Sequence, residues 1–498
     1  MPGGERGHNP LSPPFINITK GEARMKVQLI EKPTIEEKND IAIVIFPSRP
    51  YWFSATKEIR KVLDIFQEGI NEEIIIKNIA IHLDTTLTEA METFKEVRDL
   101  LYCNGVLSIN GNTSREAELI EPHFQVNAVE NVLVIAATQE CNLSCQHCYA
   151  NAKKPLRNEM TTKELKSLVN DLAFMPWKND VSRVALTGGE FFIRPDALEI
   201  IDHVHTKGFK VLLSTNGLLL NDEIISRLAN YAASLKISVS LDGPTAKIHE
   251  IIRGEGTFNQ TIMAIQKLAV SGVSVGANMF VHQDNVNLIE ETLHLAETLG
   301  VKAFNCLNLM RVGRANSQRS QKELIRIPEH ILYRNLFSIL RYNLRYQELM
   351  KNSTFANQIM GIAGGVKSHY CGIGTNRATY VRANGDIYPC PDTALPKFLL
   401  GNVKNKQLHD IWEHSPLLDE LRRLDVDTMN PICAKCDVRY FCGGNCRGEN
   451  YQVTKELRSP HFNCDEIRKT ILEMMWMLTE DPTFFQDKVN DLYQAVCF

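Results

Sequence analysis

The chain contains the run Cys141-Asn142-Leu143-Ser144-Cys145-Gln146-His147-Cys148-Tyr149-Ala150 directly after an apolar stretch, residues 132–137. The apolar stretch is typical of a buried strand, so the three cysteines lie in the loop at its carboxyl end. In α/β folds this end of a strand is where ligands bind. Three thiolates can hold three irons of a cubane cluster and leave the fourth iron open. A zinc site without its fourth ligand, or three unrelated core cysteines, is the alternative.

The spacing CxxxCxxC after a first barrel strand resembles the radical S-adenosylmethionine (radical SAM) superfamily. The resemblance implies that Cys141, Cys145 and Cys148 hold a [4Fe–4S] cluster, whose unique iron binds the methionine amine and carboxylate. Reductive cleavage then gives a 5′-deoxyadenosyl radical, so these three cysteines are the predicted catalytic residues. The same resemblance implies that His147 packs near the adenine and that Tyr149 is a further cofactor contact.

Composition excludes several other classes of protein. The chain has 498 residues, enough for two to four domains, with 44% hydrophobic and 23% charged residues and a net charge of −4. This charge does not favour general binding to nucleic acid or to a membrane surface, and the longest apolar run is too short to span a bilayer. Thirteen cysteines without a recognisable signal peptide predict a cytoplasmic protein, in which clustered cysteines bind metal or act in catalysis.

Before the cysteine loop, the sequence predicts a disordered N-terminal segment followed by a small domain. Residues 1–38 are rich in glycine and proline and are predicted to be disordered. Residues 39–125 are predicted to form an α+β domain, with strands at 41–46 and from residue 51, and a return strand at 106–109. Three helices between them are indicated by apolar positions at helical spacing: Ile59, Val62, Leu63 and Phe66; Ile74, Ile75, Ile76 and Ile79; Leu87, Met91, Phe94, Val97 and Leu101.

This order of strands and helices resembles a winged helix, and also the RiPP recognition element that precedes enzymes modifying ribosomally made peptides. That resemblance implies that the leader of a precursor peptide adds a strand to an exposed sheet edge. A DNA-binding winged helix and a plain scaffold are the alternatives. The third helix argues against DNA because Glu89, Glu92, Glu96 and Asp99 outnumber its basic residues.

Residues 126–317 alternate between strands and helices, which predicts a parallel sheet with crossover helices. The first helix is predicted at 161–174, with Thr161 and Glu164 as a capping box. Six units fit an α/β fold with a partial (β/α)6 radical SAM barrel, as the superfamily implies. The six strands are predicted at residues 131–137, 183–187, 209–214, 235–241, 273–281 and 301–309.

Polar residues follow these strands, as a site at one face of a barrel requires. The paired glycines and carboxylate after the second strand match the superfamily motif that binds the methionine amine, although Phe191 stands where the family usually has proline. The resemblance implies ribose contacts from Ser240 and Asp242, a methionine carboxylate contact from Arg253 and backbone contacts to adenine around residues 310–315. The predicted cofactor-binding residues are therefore His147, Tyr149, Gly188, Gly189, Glu190, Ser214, Asn216, Ser240, Asp242, Arg253, Arg311 and Gly313.

Beyond a helical linker at 318–365, a second group of cysteines resembles the SPASM domain, predicted here at 366–470. The resemblance implies two auxiliary [4Fe–4S] clusters, hence three clusters in all; one or two zinc sites are the alternative. It assigns Cys433, Cys436, Cys442 and Cys464 to the second auxiliary cluster, and Cys371, Cys390 and Cys446 to the first.

Seven cysteines leave one of the eight ligand positions of two cubane clusters unfilled. Some relatives have a further cysteine six residues after the first, but Arg377 stands there in this chain. A substrate thiolate, a non-cysteine ligand, or Cys103, Cys306 or Cys497 could take the position, and Cys306 and Cys497 are better explained as buried cysteines. Residues 471–498 are predicted to form C-terminal helices.

Together these features predict a radical SAM peptide maturase that uses S-adenosylmethionine to form thioether crosslinks in a precursor peptide. An electron donor such as flavodoxin or ferredoxin is the second implied partner. Carbon–carbon or carbon–oxygen crosslinking, oxidation of a protein residue and maturation of another enzyme's cofactor are alternatives. Outside the enzymes, the alternative is a zinc-stabilised protein that binds peptide or DNA.

Overall fold

The computed structural model describes residues 25–66, 71–114, 131–172, 181–317, 324–374 and 379–485. The chain forms two compact units. The first comprises residues up to 125 together with 365–367 and 435–441, and the second comprises the rest. The segment 365–367 spans the predicted boundary between linker and cysteine-rich region, and the segment 435–441 lies within the predicted cysteine-rich region.

The N-terminal unit combines a three-stranded antiparallel sheet, a two-stranded sheet and three helices. The larger sheet has the order β2-β3-β4, and β1 pairs with β5. The predicted succession of two strands, three helices and a return strand is confirmed. The elements are β1 Val27–Leu29, β2 Thr34–Lys38, β3 Ile41–Phe46, β4 Tyr51–Thr56, α1 Lys57–Phe66, α2 Glu72–Leu83, α3 Leu87–Cys103 and β5 Leu107–Ile109.

The prediction of a disordered segment up to residue 38 is wrong for its described part, because β1 and β2 lie there. Strand β2 has the sequence Thr-Ile-Glu-Glu-Lys and pairs with β3 from Thr34 opposite Ile45 to Lys38 opposite Ile41. An edge strand buries little, so its charged residues hide the alternating pattern by which strands are recognised. Residues 1–24 lie outside the described part of the chain.

Helix α3 begins at a capping box, in which Thr86 Oγ1 accepts a hydrogen bond from the Glu89 backbone N–H. Its later apolar residues are buried, as predicted, but Leu87 and Met91 in its first turns are exposed. The helical spacing therefore identified the helix correctly and overestimated the length of its buried face.

The second unit is built on six parallel strands joined by helices, which confirms all six predicted strands. Their order is β11-β10-β9-β8-β7-β6. The predicted capping box is present, since Thr161 N donates to Glu164 Oε2 at 2.7 Å. The elements are β6 Asn131–Thr138, α4 Thr162–Leu172, β7 Val181–Gly188, α5 Ala197–Thr206, β8 Lys210–Thr215, α6 Asp222–Ala229, β9 Leu235–Ser240, α7 Ala246–Arg253, α8 Thr257–Val270, β10 Ser274–Phe280, α9 Ile289–Thr298 and β11 Ala303–Leu307.

Three short strands that the sequence did not predict extend this sheet on the β6 side. Strand β12 runs parallel to β6, with Tyr380 opposite Val134, and β13 and β14 continue antiparallel. The cysteine-rich region is thus joined to the barrel by main-chain hydrogen bonds. The remaining elements are α10 Glu329–Leu340, α11 Leu344–Met350, α12 Thr354–Ala363, β12 Tyr380–Val381, β13 Asp386–Tyr388, β14 Gly401–Asn402, α13 Leu408–Glu413, α14 Pro416–Arg422, α15 Pro431–Ala434, α16 Arg439–Cys442, α17 Arg447–Thr454 and α18 Cys464–Glu480.

Helices in the predicted linker and C-terminal regions pack largely as expected. The leucine stripe of α10 is buried, whereas Leu344 is 76% exposed and so does not continue it. The apolar positions of α18, including Ile467 and Met474, are buried. The helix predicted to reach Phe498 lies outside the described residues after 485. None of the helices in the described ranges is long and apolar enough to cross a membrane.

The core of the N-terminal unit supports a stability test on α2. Ile79 is fully buried, and Ile81 on the same helix is 74% exposed. We expect Ile79→Ala to lower the local stability by about 2–5 kcal/mol, because it leaves a cavity. The matched change Ile81→Ala should stay within about 0.5 kcal/mol. Hydrogen–deuterium exchange of the β3 amides in the full chain measures both, and equal effects would contradict the assigned core.

Candidate active site

The loop after β6 contains three free cysteines that lie near one another. Cys145 is buried, Cys141 and Cys148 are half-buried, and Cys141 interacts electrostatically with both others. Burial raises the pKa of Cys141 to about 11 and also raises the pKa of Cys145, since it disfavours a thiolate without a partner. A bound cation reverses that preference, so the three sulfurs suit a metal centre that takes up thiolates.

The loop after β7 lies directly against the cysteine loop. Gly189 N donates to Thr138 O and Glu190 N donates to Glu140 O, both at 2.8 Å. A Cβ atom on Gly189 would lie 2.0 Å from Glu140 O and 2.9 Å from Cys141 Cβ. A Cβ atom on Gly188 would lie 2.3 Å from Thr138 O, and this residue has a φ of +148°. Both predicted glycines are therefore required for the two loops to approach.

Glu190 is buried behind these glycines. Its carboxylate accepts hydrogen bonds from Thr215 Oγ1 and Asn216 N at 2.8 Å, and from Phe192 N at 3.2 Å. Burial raises the pKa of Glu190, and no ion pair among the described residues includes it. Such a buried carboxylate is suited to a ligand ammonium, which would supply the missing positive charge. The residue after it, Phe191, is fully buried and begins a short 3-10 turn.

Asn216, at the end of β8, ties a third strand to the cysteine loop. Its Nδ2 donates to Asn142 Oδ1 at 2.8 Å, and Thr215 beside it is one of the partners of Glu190. Ser214 is exposed at the end of the same strand, and Ser240 is half-buried at the end of β9. The predicted residues of these two strands therefore lie at the carboxyl edge of the sheet.

Asp242 and Arg253 form an ion pair with Oδ2 and Nε 2.5 Å apart. Asp242 has no exposed surface, and its other oxygen accepts a hydrogen bond from Phe280 N. Burial alone would raise the pKa of Asp242, but the charge of Arg253 holds it below its ordinary value. Arg253 Nη1 also lies 3.8 Å from Cys145 Sγ. The sequence predicted that Asp242 contacts the ribose. This geometry instead favours a role for Asp242 in orienting Arg253.

His147 stacks on Phe280, with ring centroids 4.4 Å apart and an angle of 9° between the planes. Burial lowers the pKa of His147 to about 3, so the imidazole is neutral. Tyr149 is 41% exposed, and its side chain hydrogen-bonds to Thr187 at the end of β7. A neutral ring on an aromatic surface is suited to packing beside a planar ligand.

Residues 310–315 pack against the back of the cysteine loop. Gly313 has a φ of +61°, and a Cβ atom there would lie 2.1 Å from Tyr149 O. Arg311 N donates to Glu449 Oε1 at 2.8 Å, and its guanidinium lies 5.3 Å from the centre of the Phe462 ring. These contacts fix the backbone that the sequence predicted near the adenine.

Three residues that sequence reasoning did not single out help to hold this site. Asn142 and Thr215 make the contacts given above, and Arg314 Nε donates to Cys145 O at 2.9 Å. Arg314 Nη1 also donates to Ala152 O at 2.7 Å. Arg314 lies within the run identified at the sixth strand, so a basic residue beside the predicted adenine contacts was the available signal.

The cysteines of the C-terminal region form two groups within the second unit. Cys446 interacts electrostatically with Cys371 and Cys390, and Cys464 does so with Cys433. Asn430 Nδ2 donates to Cys433 Sγ at 3.2 Å. Cys442 also belongs to this unit, whereas Cys436 lies in the segment 435–441 of the N-terminal unit.

The cysteines considered as other sources of a ligand lie elsewhere. Cys306 is buried in β11, as expected of a core cysteine, and Cys103 is half-buried at the end of α3. Cys497 and Arg377 lie outside the described residues.

Both cysteine regions match known protein families. Residues 135–296 match the radical SAM superfamily, and residues 371–437 match the SPASM iron–sulfur cluster-binding domain. The chain is thus a radical SAM enzyme of the SPASM group, with S-adenosylmethionine, a radical SAM [4Fe–4S] cluster and auxiliary iron–sulfur clusters as its cofactors.

Two curated relatives of the chain carry different names. It is 29% identical to an AdoMet-dependent heme synthase of Methanosarcina barkeri, over 64% of this chain and 91% of that protein. It is 27% identical to the mycofactocin maturase MftC of Mycobacterium ulcerans, over 66% of this chain and 85% of that protein.

The fold is also that of a solved structure, SuiB of Streptococcus suis bound to the precursor peptide SuiA. The TM-score is 0.54 at 17% identity, covering 89% of this chain and 99% of that chain. A likeness of this extent reaches into the N-terminal unit, so the small α+β fold there is shared as well.

The close contact at Gly189 predicts a specific loss of activity. Gly189→Ala should lower the release of 5′-deoxyadenosine from S-adenosylmethionine by about 100-fold, because a displacement of about 1 Å misaligns the site. Gly361→Ala on α12 is the matched control, since a Cβ atom there meets nothing within 4 Å. The assay uses anaerobically reconstituted enzyme with dithionite, and equal activities of the two variants would contradict the inferred contact.

Proposed function

We propose that this enzyme modifies a ribosomally made precursor peptide and joins a cysteine sulfur of that peptide to a carbon atom in a thioether. The observation that carries the proposal is the N-terminal sheet, fused in one chain to radical SAM and SPASM regions. In the described part of the chain, its outer strands β2 and β4 pair only with β3. Within the described residues, the pairing with β3 uses one edge of each outer strand, and we place the proposed peptide at the opposite edge, where an extended strand would add by main-chain hydrogen bonds.

The proposed S-adenosylmethionine site uses residues from several strand ends. Cys141, Cys145 and Cys148 would hold the cluster, and Glu190 would receive the methionine ammonium. Their fit to these groups is supported by the buried Glu190 carboxylate, which has no ion pair among the described residues, and by the glycines that let its loop pack directly against the cysteine loop. When bound, cluster and S-adenosylmethionine supply the deoxyadenosyl radical that removes a hydrogen atom from the peptide. The remaining proposed contacts are His147, Tyr149, Gly188, Gly189, Ser214, Asn216, Ser240, Arg253, Arg311 and Gly313, with Asp242 positioning Arg253.

The proposed auxiliary sites follow the assignment made from the cysteine pattern. Cys371, Cys390 and Cys446 would hold the first cluster, which is supported by their mutual electrostatic interaction. This brings the proposed total to three [4Fe–4S] clusters. The second cluster would be held by Cys433, Cys436, Cys442 and Cys464.

A thioether requires a defined balance of atoms and electrons. The S–H and C–H bonds of the peptide are replaced by one C–S bond. One hydrogen atom leaves in 5′-deoxyadenosine, the thiol proton passes to water, and one electron leaves through the auxiliary sites. A flavodoxin or ferredoxin is the proposed donor of the electron that starts each turnover.

The thioether is favoured over other crosslinks by the ligand count. One position of the first auxiliary site has no cysteine of the chain assigned to it, and a sulfur ligand suits iron at such a position. A peptide thiolate bound there would be held for bond formation. The structure of SuiB with its precursor peptide supports a peptide substrate for this fold.

Tetrapyrrole chemistry is the second candidate, because the chain is 29% identical to an AdoMet-dependent heme synthase. That similarity covers 64% of the chain, while the likeness to SuiB covers 89% and includes the N-terminal unit. The peptide proposal accounts for this additional unit, and the tetrapyrrole proposal gives it no role.

Coexpression tests the peptide proposal. The chain is produced with each short cysteine-containing peptide that the DNA flanking its gene encodes, and the peptide is analysed by mass spectrometry. We expect a mass decrease equal to one H₂ for each thioether, with that cysteine no longer alkylated by iodoacetamide. The variant with Cys141, Cys145 and Cys148 all changed to Ala is the control and should leave the peptide unchanged. A crosslinked peptide with every thiol free would overturn the thioether, and an unmodified peptide would overturn the peptide proposal.

Glu190 provides a second test at the proposed methionine site. Glu190→Gln removes the charge and keeps the size, so we expect the KM for S-adenosylmethionine to rise by about 10- to 100-fold, from a loss of about 1.5–3 kcal/mol. Glu199→Gln on α5 is the control, because that side chain is 57% exposed in a surface ion pair. An unchanged KM in Glu190→Gln would remove this residue from the proposed contacts.

A further inference from the structure

The carboxylate of Asp392 faces the thiols of the first auxiliary site. Asp392 follows Cys390 by two residues, in the 3-10 turn Pro391–Thr393. The thiol of Cys446 donates to Asp392 Oδ2 at a distance of 3.5 Å. Cys390 interacts electrostatically with Asp392 and Cys371, and Cys446 does so with all three. One carboxylate and three thiols are therefore neighbours.

The backbone of Asp392 is held in place by the helix that begins after Cys446. Gln452 Nε2 on α17 donates to Asp392 O at 2.8 Å. Gly448, one turn earlier, would bring a Cβ atom within 2.7 Å of Asp392 Cβ. A glycine is therefore required at position 448 for the turn Pro391–Thr393 to pack this closely against α17. The helix that presents Cys446 thus also fixes the position of the carboxylate.

The charges around Asp392 indicate a cation between these groups. In the part of the chain that the structure describes, no ion pair includes Asp392, and its carboxylate has the Cys446 thiol as its hydrogen-bond partner. Cys371 is exposed, but Cys390, Asp392 and Cys446 are half-buried, and negative charges gathered there repel one another unless a positive charge lies among them. Iron accepts both sulfur and carboxylate oxygen as ligands.

We propose that Asp392 is the fourth protein ligand of the cluster held by Cys371, Cys390 and Cys446. The site then has three sulfur ligands and one oxygen ligand, which supplies the eighth ligand that seven cysteines lack. This inference rests on the proposed assignment of those cysteines to an iron–sulfur cluster. Because the iron of such a cluster prefers sulfur to oxygen, a peptide thiolate can replace the carboxylate, and the resting site stays fully ligated.

The test isolates the auxiliary sites in the full chain. Cys141, Cys145 and Cys148 are changed to Ala, and the protein is reconstituted anaerobically with iron and sulfide to about eight irons per chain. In this background Asp392→Ala should lose about one iron on mild oxidation and show the EPR signal of a three-iron cluster. Asp392→Cys should keep about eight irons but give a changed EPR spectrum after reduction. Asp419→Ala on α14, whose side chain is 59% exposed, is the control and should match the parent.

The outcomes distinguish failure of Asp392 as a ligand from failure of the cluster assignment. Iron content and EPR spectra of Asp392→Ala and Asp392→Cys that equal those of the parent would overturn Asp392 as a ligand. If Asp392→Ala loses the whole cluster, Asp392→Cys decides, since a stable four-sulfur site supports the proposal and loss of iron there refutes it. A separate variant with Cys371, Cys390 and Cys446 changed to Ala tests the assignment of these cysteines to an iron–sulfur cluster. Unchanged iron in that variant, or zinc in the parent, would mean that no iron–sulfur cluster is held there.

Discussion

The main-chain contact between the loops after β6 and β7 is the constraint on which the site depends. Two hydrogen bonds continue the pairing of these strands past their ends, from Gly189 to Thr138 and from Glu190 to Glu140. Because the loops run side by side, no side chain fits between them at Gly188 and Gly189. The same contact carries Glu190 into a buried position, where Thr215 and the backbone of Asn216 fix its carboxylate.

The electrostatic balance of the site follows from this packing. The half-buried thiol of Cys141 is a neighbour of the buried thiol of Cys145 and of the buried carboxylate of Glu190, while the largely buried guanidinium of Arg253 is already paired with Asp242. Without ligands, burial therefore favours the neutral forms of Cys141, Cys145 and Glu190. Binding of iron and of a ligand ammonium supplies the positive charge that these groups need. The protein contributes shape and spacing, and the cofactors contribute charge.

Sequence patterns predicted the parts of the fold that repeat or that carry strict spacing. The six barrel strands are buried apolar runs, and the motif glycines are required by contacts that tolerate no Cβ atom, so both leave clear signals. Strand β2 and the two- and three-residue strands β12 to β14 leave almost none, because an edge or a short strand buries few side chains. Partner choice was also beyond the sequence: Asp242 and Arg253 are eleven residues apart in the chain, and only the folded strand ends show that they bind each other.

The connection between the two cysteine regions of the second unit depends on one turn of helix α17. Cys446 is its N-cap and accepts a hydrogen bond from the N–H of Glu449 at 3.4 Å. The Glu449 side chain in turn accepts from Arg311 N, two residues before the glycine that packs on the cysteine loop. A shift of Cys446 would therefore move the backbone behind Cys148 through three consecutive contacts. Since each contact involves backbone or a buried side chain, the spacing between the two regions is a property of the fold and does not depend on surface side chains.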